Sequence, residues 1–157
     1  MDVNNEDLLK VALSYNRIGE SLIEQGKYDE ALDHLRKALA IFEQMYGQTH
    51  PKVALSYKCI GQALTGQSKY VEALEYHHKA LAIREKVYGE NHPNVAFSCN
   101  DIGLLLDKQG KHTEALDYLE RVLYIRSNVY GDGHPSLTAC FMKFSEILSM
   151  LSAKGKA

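Results

Sequence analysis

The chain of 157 residues is 45% hydrophobic and 24% charged, which predicts a folded protein about the size of one compact domain. Its net charge of −2 provides no basic surface for nucleic acid or an anionic membrane, and no apolar run is long enough to span a bilayer. With no signal-like leader and three cysteines without framework spacing, we expect free thiols and a cytoplasmic location.

A repeat of 42 residues organises the chain. Residues 52–93 share 25 identities with the 42 residues before them and 20 with the 42 residues after them. Agreement in three registers without a gap marks a repeat array. We therefore predict one domain, 1–157, with repeats at 9–50, 51–92 and 93–134. The positions that recur are Gly19/Gly61/Gly103, Ala31/Ala73/Ala115, Tyr46/Tyr88/Tyr130 and the His-Pro pairs at 50–51, 92–93 and 134–135.

Each repeat contains two segments with helical spacing of apolar residues, separated by a short polar break. In the middle repeat Tyr57, Ile60 and Leu64 show this spacing in the first segment. A glycine after the second segment can end that helix, and the proline that follows can open the next one. No stretch alternates in the manner of a strand. The predicted helices are 6–25, 28–46, 51–67, 70–88, 93–109, 112–130 and 135–152, followed by a polar tail at 153–157.

The last predicted helix repeats only the first half of the unit. Because a terminal repeat needs a wettable outer face, we expect the helix at 135–152 to act as a cap. Its apolar residues are more numerous than a cap requires: Cys140, Phe141, Phe144, Ile147, Leu148 and Leu151. Either the natural protein continues, or this face meets a partner or a second copy. A homo-oligomer would use Phe141, Met142, Phe144 and Met150.

The repeat resembles the tetratricopeptide repeat, whose pattern is W-x-x-L-G-x-x-Y followed by A-x-x-x-F. The first repeat matches this pattern with Tyr15, Ile18, Gly19, Leu22, Ala31 and Leu35. The repeat is about eight residues longer than the roughly 34 of that family, and the added two turns fall in the second helix. This long form resembles the repeats of kinesin light chain. The resemblance implies an all-α fold, a right-handed α-solenoid of three helix-turn-helix repeats plus a C-terminal capping helix.

The resemblance also implies a binding surface, because the first helices of tetratricopeptide repeats line a concave groove that binds peptides. Residues expected in this groove are Leu13, Asn16, Glu20, Ile23, Leu55, Lys58, Gln62, Thr65, Phe97, Asn100, Leu104 and Asp107. In kinesin-light-chain-like repeats, asparagines at the positions of Asn16 and Asn100 contact cargo peptides, whereas Lys58 departs from that pattern. The favoured function is a protein–protein interaction module or adaptor with a protein or peptide ligand. The alternative is a structural repeat protein that self-associates.

We expect no enzymatic activity, metal or cofactor. His50, His92 and His134 occupy equivalent places in successive repeats, so they should lie about 10 Å or more apart. Zinc needs its ligand nitrogens at about 2.1 Å from a single ion, so these histidines are expected to have a structural role before proline. The cysteines are expected to be small buried hydrophobic residues. The sequence contains no phosphate-binding loop, serine nucleophile motif or metalloprotease motif.

Overall fold

The computed structural model describes residues 4–155, and helices are the only regular structure found among them. The all-α fold class predicted from the sequence is therefore confirmed. The chain divides into two compact units, unit 1 (Met1–Val87) and unit 2 (Tyr88–Ala157), while its assignment to a single domain stays a prediction. In chain order the helices are α1 (Asn5–Glu24), α2 (Tyr28–Tyr46), α3 (Pro51–Gly66), α4 (Tyr70–Tyr88), α5 (Pro93–Lys108), α6 (His112–Tyr130) and α7 (Pro135–Gly155).

The observed helix ends differ from the predicted ones in a regular way. Helices α2, α4 and α6 have the predicted bounds, but α1, α3 and α5 each end one residue early because a glutamine forms the C-cap. Helix α7 continues to Gly155, three residues beyond the prediction, since Ala153 and Lys154 are good helix formers. The last two residues of the predicted polar tail, 156–157, lie outside the described residues.

The His-Pro pairs start helices, as predicted. The Nδ1 of His50 accepts a hydrogen bond from the backbone N–H of Lys52 at 3.1 Å, and His92 and His134 make the equivalent bond. Each ring also stacks on a tyrosine four residues earlier, with a centroid distance of 4.0 Å for Tyr46 and His50. The proline that follows has no N–H to satisfy in the first turn. The structural role expected for these histidines is confirmed.

Glycines allow close helix crossings in unit 1. A Cβ atom built on Gly19 would lie 2.5 Å from the Cγ atom of Leu35, and one on Gly61 would lie 2.6 Å from Nε2 of His77. A side chain at either position would hold the two helices of a repeat apart. The constant glycine in the sequence therefore marks the point where the first helix of a repeat crosses the second.

The core of unit 1 joins all four of its helices. Its buried cluster consists of Ala12, Ala38, Phe42, Val53, Ala54, Ala80 and Ile83. Equivalent positions of the repeat are not buried to the same extent. Ile18 is 43% exposed, whereas Ile60 is fully buried. The reason is that α3 packs against both α1 and α2, while Ile18 lies on the side of α1 that no helix of unit 1 covers.

In unit 2, α5 pairs with α6, and α7 packs along α6. The Gly103 crossing is looser than the one at Gly19, since a Cβ atom there would lie 3.1 Å from Leu119. Leu137, Cys140 and Ile147 are the buried residues of α7. This helix buries far less of its length than α5 does, so it presents the most open apolar surface of the unit.

Candidate functional site

The first helices α1 and α3 carry a polar seam in unit 1. Asn16 is only 3% exposed, and its Oδ1 accepts a hydrogen bond from the Ser56 hydroxyl at 3.3 Å. Its Nδ2 donates to Oε1 of Glu20 at 3.1 Å, and the Cys59 thiol donates to the same oxygen at 3.5 Å. The buried Asn16 thus holds Glu20, whose exposed side chain is the part of the seam that a ligand can reach.

The other residues expected in the groove of unit 1 fall into two sets. Leu13 packs against the buried core cluster, and the Thr65 hydroxyl donates to the backbone carbonyl of Gly61 at 2.8 Å. These two side chains are therefore committed to the scaffold. Four further residues are partly open to solvent along α1 and α3: Ile23, Leu55, Lys58 and Gln62.

In unit 2 the equivalent face of α5 is more apolar. Phe97 is 54% exposed, and the Arg126 guanidinium lies 5.4 Å from the centroid of its ring. Asn100 and Leu104 follow at one-turn spacing and are half-buried. A ligand lying along α5 would therefore meet an aromatic ring with a cation beside it, then an amide, then an aliphatic side chain.

Asp107, the last residue expected in the groove, forms an ion pair that joins helices. Its carboxylate accepts from Nζ of Lys143 at 2.8 Å and contacts Nδ1 of His112 at 2.8 Å. Burial acts to raise the pKa of Asp107, but the hydrogen bonds from Lys143 and His112 outweigh it and lower that pKa. No spacing in the sequence indicates a partner for His112, because this contact depends on how the turn after α5 folds.

A second open surface lies between α6 and α7. The sequence indicated it only through the surplus of apolar residues on the last helix. We call it the α6–α7 groove, a cavity of about 680 Å³ lined by Leu123, Tyr124, Leu137, Thr138, Phe141 and Met142. Tyr124 and Phe141 are each 60% exposed, and Met142 is 67% exposed. A residue that could also have indicated it is Tyr124, which stands where the two earlier repeats have Ala40 and Ala82.

The cysteine thiols are shielded from solvent. As predicted, the three cysteines form no disulfide and are buried, and burial together with the charge of Glu20 raises the pKa of Cys59 to about 12. A thiol with that pKa stays protonated at neutral pH and is a poor nucleophile. Over residues 4–155 no group of three or more His, Cys, Asp or Glu side chains is placed to hold a metal ion. The cytoplasmic location stays a prediction.

Comparison with known proteins agrees with this arrangement of helix pairs. The model of the tetratricopeptide repeat family matches residues 10–68 and 53–126, which together cover more than half of the chain. The chain belongs to the tetratricopeptide repeat family. Helical pairs with a small residue at each crossing are thus the family's repeat, here in its long form. No curated protein sequence matches the chain significantly, and no described helix could cross a bilayer by length and hydropathy.

Solved structures show the same fold at low sequence identity. A putative kinesin light chain with TPR-like repeats from Podosopora anserina has a TM-score of 0.79 at 22% identity, over 89% of this chain and 66% of its own. BtubC (BKLC) from P. vanneervenii has a TM-score of 0.86 at 22% identity, over 96% and 60%. The N-terminal domain of stress-induced protein-1 from C. elegans has 0.65 at 17%, over 92% and 98%. This tetratricopeptide repeat chain therefore spans less than two thirds of the first two proteins.

Proposed function

We propose that this tetratricopeptide repeat protein is a protein–protein interaction module that binds a peptide segment of a partner along its first helices. In unit 1 the contact residues are Glu20, Lys58 and Gln62, with Asn16 supporting Glu20 from below. In unit 2 they are Phe97, Asn100 and Leu104. We propose no catalytic role, because the family builds scaffolds and the three cysteine side chains are buried.

The observation that carries the proposal is the contrast between buried and exposed positions of the repeat. The buried crossing residues are constant, with glycine at positions 19, 61 and 103. The position one residue later, which is exposed at Glu20 and partly exposed in the other two repeats, changes from Glu20 to Gln62 to Leu104. Scaffold residues are thus kept while the open side chains of the first helices differ in charge and polarity. A surface whose side chains vary on a constant scaffold is suited to binding ligands selectively by their sequence.

The chemistry of the proposed contacts suggests how a peptide would be bound. Amide side chains such as those of Gln62 and Asn100 both donate and accept, so they can pair with a peptide backbone of any sequence. The exposed Phe97 ring can pack against an aromatic or aliphatic side chain of the ligand. In unit 1 the contacts carry mixed charge, from Glu20 and Lys58, whereas Arg126 adds positive charge beside Phe97 in unit 2, so an acidic ligand residue is favoured there.

Selection from a peptide library on the immobilised protein tests this proposal. The affinity of the selected peptides is then measured by titration calorimetry for the wild type, Lys58→Ala and Phe97→Ala. We expect each substitution to weaken binding of at least one selected peptide by about 5- to 50-fold, the cost typical of an interface anchor. The matched control is Val71→Ala, which removes a side chain that is 68% exposed on the second helix α4.

Two results would contradict the proposal. One is a library that yields no saturable binder, and the other is a set of peptides that bind both variants as tightly as the wild type. Thermal unfolding of each variant, followed by circular dichroism, ensures that a loss of affinity is not a loss of fold. Because Phe97 is exposed and Lys58 is partly exposed, we expect these truncations to change stability little.

A further inference from the structure

The α6–α7 groove is open along its length and lined by large apolar side chains. Exposure of 60% or more at Tyr124, Phe141 and Met142 is unusual for residues that share one cavity. Contiguous apolar surface of this kind on a folded protein commonly marks an interaction site. The groove includes neither Lys58 nor Phe97, so binding there would be independent of the proposed peptide contacts on the first helices.

The internal repeat shows what fills the equivalent space in unit 1. A shift of 84 positions, two repeats, aligns Leu123, Leu137, Thr138 and Phe141 with Leu39, Val53, Ala54 and Tyr57. Val53 and Ala54 share a buried cluster with Ala80 and Ile83 of α4, and Leu39 and Tyr57 pack against that cluster. The second helix of the repeat thus covers these residues in unit 1. In unit 2 their equivalents have no such helix among the described residues.

Charge and aromatic contacts in unit 1 define the occupant further. The Lys79 ammonium of α4 lies 5.5 Å from the centroid of the Tyr57 ring, and Lys37 of α2 lies 5.6 Å from that of Tyr15. Both second helices thus place a lysine over the aromatic ring of the first helix. Phe141 is the equivalent ring on α7. The groove is also lined by two carboxylates, Glu120 and Asp132, which favour a basic occupant.

We propose that the α6–α7 groove binds a basic amphipathic helix of a partner protein. Its apolar side chains would occupy the positions that Tyr76, Ala80 and Ile83 occupy on α4. A lysine or arginine at the position of Lys79 would lie over the ring of Phe141. The bound helix would cover Leu137, Thr138 and Phe141 in the way that α4 covers Val53, Ala54 and Tyr57.

A second copy of the chain fits this groove less well. A two-fold contact brings the same patch of both copies together. Glu120 and Asp132 of both copies would then lie in one interface. The nearest cation on α7, Lys143, is already bonded to Asp107 at 2.8 Å. A basic helix would neutralise Glu120 and Asp132, which a two-fold contact through the same patch would instead bring together.

The test uses a peptide with the sequence of residues 70–88, the helix that fills the equivalent groove in unit 1, carrying Glu72→Gln, Glu75→Gln and Glu85→Gln so that the peptide is net basic. A helix of this length is marginal by itself in water, so the peptide is stapled between positions 78 and 82, both exposed in α4. Its binding to the full chain is followed by fluorescence anisotropy. We expect saturable binding that weakens about tenfold or more for Phe141→Ala and for Tyr124→Ala.

Two matched controls distinguish binding at this site from nonspecific binding. Ile18→Ala removes an apolar side chain that is 43% exposed on α1, and we expect it to leave the affinity unchanged. A peptide with Lys79→Glu keeps the apolar register but reverses the charge that should meet Glu120 and Asp132. We expect this peptide to bind about three- to tenfold more weakly, with the difference shrinking at high salt.

Three outcomes would overturn the proposal. The first is absence of saturable binding by the stapled peptide, and the second is equal affinity for the wild type and Phe141→Ala. The third is a dimer of the wild type, measured by light scattering, that becomes a monomer in Phe141→Ala. That result would identify a second copy as the occupant. Circular dichroism melting curves establish that the two groove variants remain folded.

Discussion

In each repeat, the turn between the two helices contains one residue with a left-handed backbone conformation. In the middle repeat this residue is a serine. Gly26 and Gly110 have φ values of 77° and 80°, whereas Ser68 has a φ of 62°. Each residue follows the C-cap of its helix, and the next backbone N–H closes the turn, as Lys69 does to the Leu64 carbonyl at 2.9 Å. Serine has a steric cost there that glycine does not.

We therefore expect Ser68→Gly to stabilise the protein. The gain in free energy of unfolding should be roughly 0.5–1 kcal/mol, because the left-handed conformation disfavours a Cβ atom. Urea denaturation of the two proteins measures it. Gly110→Ser, the reverse change at the equivalent turn, should cost a similar amount. Equal stability of the wild type and Ser68→Gly would show that the serine is not strained.

A second single-residue effect concerns the buried His77. Burial lowers its pKa to about 4, helped by the positive charges of Arg84, His78 and Lys58. Because the folded pKa lies below the unfolded value of 6.5, the neutral ring is favoured by folding. Its contribution to stability is complete above pH 6.5 and is lost as the pH falls towards 4. The loss is on the order of 3 kcal/mol.

His77→Leu should remove this acid sensitivity. Leucine fits opposite the crossing glycine, as Leu35 does at Gly19 and Leu119 at Gly103. The free energy of unfolding, measured in urea at about pH 7 and about pH 4.5, should fall less in the variant than in the wild type. His78→Leu changes the exposed neighbour and should keep most of the wild-type pH dependence. Parallel pH profiles for the wild type and His77→Leu would refute the assignment.

At the scale of the helices, the spacing at the crossings sets how closely the two helices of a repeat pack. An added Cβ atom would lie 2.5 Å from the Leu35 side chain at Gly19, but 3.1 Å from Leu119 at Gly103. The first distance requires a displacement of Leu35, which is completely buried, whereas the second requires only a few tenths of an ångström. The same substitution should therefore have unequal costs in two equivalent places.

We predict that Gly19→Ala destabilises the protein by about 1–3 kcal/mol, the usual cost of overpacking a core. For Gly103→Ala the milder contact is offset by the roughly 1 kcal/mol that alanine gains over glycine in a helix, so the net change should be small. Thermal unfolding of both variants measures the difference. Equal destabilisation by the two substitutions would mean that the distances at the crossings do not set the cost.

Over the whole molecule, burial is distributed unevenly among the helices. Half of the 16 residues of α3 and half of the 16 of α5 are buried, whereas α7 buries only Leu137, Cys140 and Ile147 among 21. Helix α1 is also lightly buried. Local opening should therefore be easiest in α7 and α1, since few buried apolar contacts oppose it.

Amide hydrogen exchange should show this order directly. We expect the slowest exchange in α3 and α5 and the fastest in the last turns of α7. Lys143→Ala removes the bond to Asp107 that ties α7 to α5, so exchange in α7 should rise by a few-fold while that in α3 stays unchanged. Lys10→Ala, which removes an exposed pair with Glu6, serves as the control. Uniform exchange along the chain would contradict the prediction.

The sequence by itself determined the helices and their order, because the repeat supplies three copies of each signal. The constant Gly19, Gly61 and Gly103 recur where the structure places the helix crossings, and the prolines of the His-Pro pairs predicted the starts of helices. These features depend on neighbours within a few residues or on one helix pair. The tertiary structure decided which equivalent positions are covered. It buried Asn16 in a seam with Ser56, paired Asp107 with Lys143 and opened the α6–α7 groove, since exposure depends on which helices lie alongside rather than on repeat position.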